Sequence, residues 1–289
     1  MMLNCKNHIA LFVFVIGFSN IHFLPLSAQE KIYQTQKNNP SQIVIDGIID
    51  EASWDLVEWE NNFTQREPYE GEAPSQITAF KILYDDNNLY IAIRANDTQP
   101  DKIERRLTRR DAYEGDLVGV NIDSYNDKLT AFEFTVNAAG VKNDGLISND
   151  SDKDITWNPV WYVKTSTDDS GWTAEMKIPF TQLRFPEKEN YQWGFQVFRW
   201  LFRKEEASAW VHIPKEEARW VSLFGELQGI SNIKPKKEIE LIPYAMGNLE
   251  TYKQEEDNPL RVDKILDTPW IGRQGGRNQR PDFKYCCKP

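Results

Sequence analysis

From residue 77 to 246 apolar and polar positions alternate with a period of two, segment after segment, with turn residues between. The stretches ITAFKILY (77–84) and NLYIAIRA (88–95) flank Asp85, Asp86 and Asn87, which predicts a hairpin. In LVGVNID (117–123), Val118, Val120 and Ile122 alternate with small or polar partners. TAFEFTVN (130–137) sets Phe132, Phe134 and Val136 on one face and Glu133, Thr135 and Asn137 on the other. VWYVKTS (160–166), WTAEMKIPF (172–180), QWGFQVFRW (192–200) and EIELIPYAM (238–246) continue the series. Pro179 and Pro214 close strands, because proline cannot donate to a central ladder. Helical spacing is confined to two short segments, DEASWDLV (50–57) and PDKIERRLTRRD (100–111). Many evenly spaced strands with few short helices predict an all-β fold, an antiparallel β-sandwich whose two sheets bury their apolar faces together.

Outside that region the pattern changes. Lys6, the apolar run IALFVFVIGF (9–18) and the small residues Ser27 and Ala28 follow the order of a secretory signal, with cleavage expected after Ala28. The run is too short to span a bilayer comfortably, so no transmembrane helix is expected in the mature chain. The organisation read from the sequence is therefore a signal peptide over 1–28, a linker over 29–42, the sandwich over 43–246 and a poorly ordered tail over 247–289. The tail loses the alternation and gathers Gly272, Gly275, Gly276 and several Arg and Gln. A truncated or frame-shifted end is one reading of it. An exported protein placed in the periplasm or at the outer membrane is the matching address.

Charge and scarce residues narrow the chemistry. The net charge is -10, which repels nucleic acid and excludes it as a partner. Cys5 lies in the signal and Cys286 and Cys287 in the tail, so the body has no disulfide framework and depends on its core. His212 is the only histidine beyond the signal, which leaves a His-rich zinc site or a Ser-His-Asp triad without companions.

The segment IDGIIDEASW (45–54) places Asp46, Asp50 and Glu51 within six positions. A glycosidase pair is usually delivered from separate elements across a sugar. Asp46 and Gly47 read instead as a turn, Asp50 as the N-cap of a short helix, and Trp54 as a core residue. The cluster is architecture. Trp161, Trp172 and Trp193 likewise fall on faces where burial explains them. Tyr113, Trp210 and Trp220 sit in loop-rich stretches, where function concentrates. RRLTRRD (105–111) carries four Arg, read as a solvated helical face, with a clamp for an anionic glycan or lipopolysaccharide phosphate as the alternative. No cofactor is assigned. The acid-rich turn from Asp123 to Asp127, and NDSDKD (149–154), are the candidates for a structural calcium ion, although neither has EF-hand spacing.

DGIIDEASW (46–54), FKILYDDNNLYIAIRAND (80–97), YEGDLVGVNIDSYND (113–127), GWTAEMKIPFTQLRF (171–185), WGFQVFR (193–199) and WVSLFGEL (220–227) occur in one order. That order resembles family 9 carbohydrate-binding modules. From about 43 to 250 the chain looks like the module that precedes a membrane-type β-barrel in a group of exported bacterial proteins, with the barrel lacking here. The resemblance implies a ligand gripped between two aromatic rings, which by motif fall on Tyr113 and Trp220. The polar residues of sugar-binding members align with Gly119, Thr135, Asn137 and Phe198, of which Asn137 alone keeps a suitable amide.

The expected function is thus an exported, non-catalytic carbohydrate-binding module linked to polysaccharide breakdown, with Tyr113, Trp220, Asn137 and Trp210 as ligand-binding residues. A structural or interaction domain that recognises an outer-membrane component is the alternative. A glycoside hydrolase would need Glu133 or Glu175 as its acids, and a haem-binding sandwich would need His212, Met176 or Met246 as axial ligand.

Overall fold

The computed structural model describes residues 31–38 and 43–235. In chain order the strands are β1 (Ile32–Gln34), β2 (Gln36–Lys37), β3 (Thr64–Glu67), β4 (Thr78–Tyr84), β5 (Asn88–Asn96), β6 (Leu117–Asp123) and β7 (Ala131–Asn137). They continue with β8 (Lys142–Ser148), β9 (Asp152–Asp154), β10 (Tyr162–Asp168), β11 (Gly171–Pro179), β12 (Asn190–Leu201), β13 (Glu206–Ala209) and β14 (Gly225–Ser231). Helical structure among the described residues is limited to short 3-10 turns.

Nine strands form one sheet in the order β1-β14-β12-β6-β7-β8-β9, with β13 paired to β12 and β3 to β13. Five form the other, in the order β10-β11-β5-β4-β2. The alternation determines which side chains meet between them. Val118, Val120 and Ile122 of β6, Phe132, Phe134 and Val136 of β7, and Phe195 and Val197 of β12 pack on Ile91 and Ile93 of β5 and on Trp172 and Met176 of β11 in one buried cluster. The β-sandwich expected from periodicity is the fold observed.

The expected strands over 77–84, 88–95, 117–123, 130–137, 160–166, 172–180 and 192–200 are present with small shifts at their ends. Asp85 tightens the first hairpin by accepting the Asn87 and Asn88 amides at 2.6 Å each. The expected helix over 100–111 reduces to a 3-10 turn at Pro100–Lys102. Beyond it, Glu104 exchanges backbone bonds with the Asp116 segment, its carbonyl taking the Asp116 amide at 2.9 Å and its amide going to Asp116 Oδ2 at 3.0 Å. A helix this short is marginal alone, and these tertiary bonds outcompete it. In the stretch expected to be a linker, β1 pairs in parallel with β14 and β2 with β4. The signal segment, residues 39–42, the strand over 238–246 and the tail lie outside the described residues.

Candidate functional site

Each sheet turns a second face away from the core, and the two faces are used differently. The outward face of the five-stranded sheet is covered by the IDGIIDEASW segment. Glu175 of β11 is completely buried there and accepts the Asp46 amide at 3.2 Å, the Gly47 amide at 2.8 Å and the Trp54 indole N–H at 3.3 Å. Gly47 has φ +92°, and a Cβ on it would stand 2.8 Å from the Thr165 carbonyl carbon, so the turn needs glycine. Trp54 closes a small apolar cluster with Val57, Leu83, Tyr90 and Ala92. The cluster is architecture, as its capping pattern suggested, but two details differ. Glu51, not Asp50, precedes the 3-10 turn, without a side-chain cap bond, and its carboxylate takes the Val44 amide at 2.9 Å. Trp54 belongs to this satellite cluster and not to the main core.

The outward face of the nine-stranded sheet is polar. Register places Gln196, Asn121, Glu133 and Gly145 side by side across β12, β6, β7 and β8. Phe198, Gly119, Thr135 and Asn143 form the next row. A Cβ on Gly119 would lie 2.5 Å from both Phe198 Cζ and Thr135 Oγ1, so glycine here lets the Phe198 ring lie across the strand.

Two rings rise at this face. The loop before β6 delivers Tyr113, whose hydroxyl donates to Glu133 at 3.0 Å. Lys153 of β9 crosses Gly145, where a Cβ would meet its Cε at 2.9 Å. Its ammonium reaches Glu133 at 2.7 Å and the Tyr113 hydroxyl oxygen at 2.5 Å, and lies 4.0 Å from the Tyr113 ring centroid. Burial, with the Glu133 carboxylate beside it, pushes the Tyr113 hydroxyl far above its ordinary range, so it stays a donor. Trp220 begins a crossing segment whose Val221 packs on Ala131 and Ile147 of the same face, with Trp220 and Phe224 alongside. Asp150 holds that segment by accepting the Trp220 and Ser222 amides at 3.1 and 2.8 Å, and the Arg66 guanidinium stands 5.8 Å from the Trp220 ring.

The same face carries two asparagines that sequence reasoning passed over. Asn121 and Asn143 are completely buried, and the amide nitrogen and oxygen of each lack a hydrogen-bond partner. Buried amides left unpaired cost roughly 1–3 kcal/mol each, which is why they cluster where water or a ligand completes them. For Asn121 the signal was present in the alternation, in phase with Gly119 and Asp123, whereas Asn143 lies in phase with Val141 and Gly145 and gave none. Which polar rows would adjoin required the pairing register.

Two ligand-binding expectations are corrected. Asn137 spends its whole amide on the backbone, donating to the Arg106 and Glu114 carbonyls at 2.6 and 3.2 Å and accepting the Ala139 and Val141 amides at 3.0 and 2.9 Å. It shapes the loop that carries Tyr113 and has nothing left for a ligand. Trp210 is 1% exposed and packs edge-on against Phe80 and Phe195 in the main core. Its segment turns inward after β13, so a ring expected at a rim is structural.

The other candidates are also placed. Asp123 caps its own turn by accepting the Asp127 and Lys128 amides at 3.3 and 2.8 Å, and Asp127 accepts the Leu129 and Thr130 amides at 2.8 and 2.7 Å. Among the described residues no group of three or more His, Cys, Asp or Glu could hold a metal ion. Glu133 and Glu175 occupy outward faces of different sheets, which pack ~10 Å apart, so they cannot flank one glycosidic bond. Met176 is sealed in the core, His212 stands 3.6 Å from Glu70, and Met246 lies outside the described residues. In RRLTRRD, Arg110 binds Asp144 at 2.6 Å and the Arg106 guanidinium lies 4.3 Å from the Phe202 ring, so the run is partly a framework of tertiary contacts. Among the described residues no helix is long and apolar enough to cross a membrane.

Comparison with known proteins agrees with the fold. A family 9 carbohydrate-binding module from Caldicellulosiruptor kristjanssonii, solved with glucose, superposes with TM-score 0.50 at 20% identity, covering 72% of this chain and 98% of that one. The cellotriose complex from the same organism gives TM-score 0.50 at 21% identity, over 74% and 99%. A Bacteroides uniformis protein gives TM-score 0.53 at 14% identity, over 69% and 99%. At these identities the likeness establishes the fold. A search of curated proteins gave no match. The model of the carbohydrate family 9 binding domain-like family matches residues 45–216, more than half of the sequence, and the chain belongs to that family.

Proposed function

We propose that the outward face of the nine-stranded sheet binds a glycan, without catalysis, between Tyr113 and Trp220. The observation that carries this reading is the pair Asn121 and Asn143, whose four amide atoms lack partners on the face that both rings border. Both amides are buried, so a sugar reaches them only when the side chains above them move. Its hydroxyls, donors and acceptors at once, then complete them while a pyranose face stacks on an aromatic ring. Glu133 adds an acceptor already oriented by Tyr113, Lys153 and Thr135. Lys153 lies on the Tyr113 ring. It is a flexible side chain on a three-residue strand, and its displacement opens the ring face and Glu133 together. The relatives solved with glucose and cellotriose support a sugar as ligand. With the secretory pattern at the N-terminus, this reading makes the domain an exported accessory of polysaccharide breakdown.

The test is a glycan-array screen of the full chain, followed by titration of tryptophan fluorescence with the best ligand. Saturable binding that Tyr113→Ala and Trp220→Ala each abolish, and that Asn121→Ala weakens at least about tenfold, is the expected result. Folded protein that binds no glycan sinks the reading and shifts the role to recognition of a partner such as an outer-membrane component.

A further inference from the structure

A concavity lies beside the start of the IDGIIDEASW segment, at the β10 edge of the five-stranded sheet. It has a volume of about 460 Å³ and is lined by Ile43 and Ile45, by Tyr162, Val163 and Lys164 of β10, by Lys177 of β11 and by Lys142 of β8. Lysines from three strands and both sheets line it, and no carboxylate is among the lining residues. The chain has 44 acidic and 34 basic residues, so a cavity lined by three lysines and no acid runs against its composition. The nearby acids are committed elsewhere. Glu175 faces the Asp46–Gly47 turn, and Asp144 binds Arg110 and the Trp161 indole.

Lys142 donates to the Trp161 carbonyl at 2.5 Å and sits 5.3 Å from that ring's centroid. Burial, then repulsion from Arg110, lowers its pKa, with the Asp144 carboxylate opposing both. Lys164 and Lys177 have no ion pair among the described residues. Tyr162 is 52% exposed, with the Lys177 ammonium 5.7 Å from its ring centroid. Lysines on an edge strand such as β10 commonly keep sheets from pairing. That accounts for Lys164 but not for Lys142, which arrives from the other sheet.

We propose that this groove is a second binding site, for a sugar ring bearing a carboxylate, sulfate or phosphate. The lysines take the anionic group, and the exposed Tyr162 ring with Ile43 and Ile45 takes the body of the sugar. The site does not rest on the glycan face described above and shares no lining residue with it, although Lys142 adjoins Asn143 in β8. Cation and aromatic side by side are what an anionic sugar needs, whereas a neutral sugar leaves three charges unanswered.

Isothermal titration of the full chain with trigalacturonate, galactose 6-sulfate and glucose 6-phosphate distinguishes the anionic groups, with cellotriose and inorganic phosphate as controls. At least one charged sugar is expected to bind, more weakly as NaCl rises, and at least about tenfold more weakly to Lys164→Gln/Lys177→Gln. Circular dichroism confirms that this variant is folded, and Tyr113→Ala is expected to bind as wild type. The proposal is overturned if no charged sugar binds, if the double variant binds unchanged, if Tyr113→Ala removes the binding, or if inorganic phosphate binds as tightly as the sugars.

Discussion

Replacing Glu175 by Gln tests whether the covered face of the five-stranded sheet is assembled around a carboxylate that resists ionisation. Burial, opposed by the Gly47 amide and reinforced by Glu51, raises the Glu175 pKa from 4.5 to about 7 in the folded protein. The folded state therefore holds its proton more tightly than the unfolded chain, so this group's contribution to stability falls as pH rises through the window from 4.5 to about 7. At ~1.4 kcal/mol per tenfold in proton affinity, the loss across that window is about 3 kcal/mol. Gln keeps an acceptor for the Asp46 and Gly47 amides and cannot ionise. Its NH2 meets the Trp54 indole N–H donor to donor, which costs about 1 kcal/mol at every pH. Urea unfolding of both proteins at pH 4.5 and pH 8 isolates the effect, because titrations of other groups cancel in the difference. Wild type minus variant should decrease by about 3 kcal/mol between the two pH values. A change below ~0.5 kcal/mol, or an increase with pH, would show that Glu175 ionises freely and that the account of this face is wrong.

Two further substitutions test the sheets themselves. Gly119→Ala puts a Cβ 2.5 Å from Phe198 and Thr135 and should cost about 1–3 kcal/mol by overpacking. The cost should shrink in a Phe198→Ala background, where the Thr135 contact remains, and strict additivity in a thermal-unfolding cycle would refute the Phe198 contact. Asp97 binds Arg203 through two bonds of 2.7 Å, with Arg199 at 3.9 Å. Burial pushes its pKa up, but the Arg203 bonds, the Gln99 amide and both cations outweigh this and hold it below 3.8. The resulting stability is present above the ordinary carboxylate pKa and is lost as pH falls through the depressed one. Asp97→Ala should therefore cost about 3–5 kcal/mol at pH 7, with the deficit shrinking in acid. A deficit that grows as pH falls would contradict that sign.

Local pattern determined much of this protein. Alternation in stretches such as 117–123 and 130–137 decides which side chains can share a face, since successive residues point oppositely along a strand. That information is complete within a few residues, so the sandwich, the Asp85 hairpin and the buried roles of Trp161, Trp172 and Trp193 were all legible. The architectural role of IDGIIDEASW was legible for the same reason, because turn and capping signals are local. The family-like motifs singled out Tyr113 and Trp220, and both rings stand at the polar sheet face.

Tertiary structure decided the rest. Trp210 and Trp220 both lie in the loop-rich stretch 203–224, and only the path of the chain sends one ring into the core and leaves the other beside the polar face. Asn137 looked like a ligand amide until the loop around it claimed its four hydrogen bonds. Arg105 to Asp111 had the composition of a helix, but bonds to the Asp116 segment were worth more than one isolated turn. Asn121 and Asn143, distant in sequence, became members of one face through the pairing of β6, β7 and β8. Periodicity specifies the face of each strand, whereas adjacency of strands, and therefore every site built across them, depends on contacts between residues far apart in the chain.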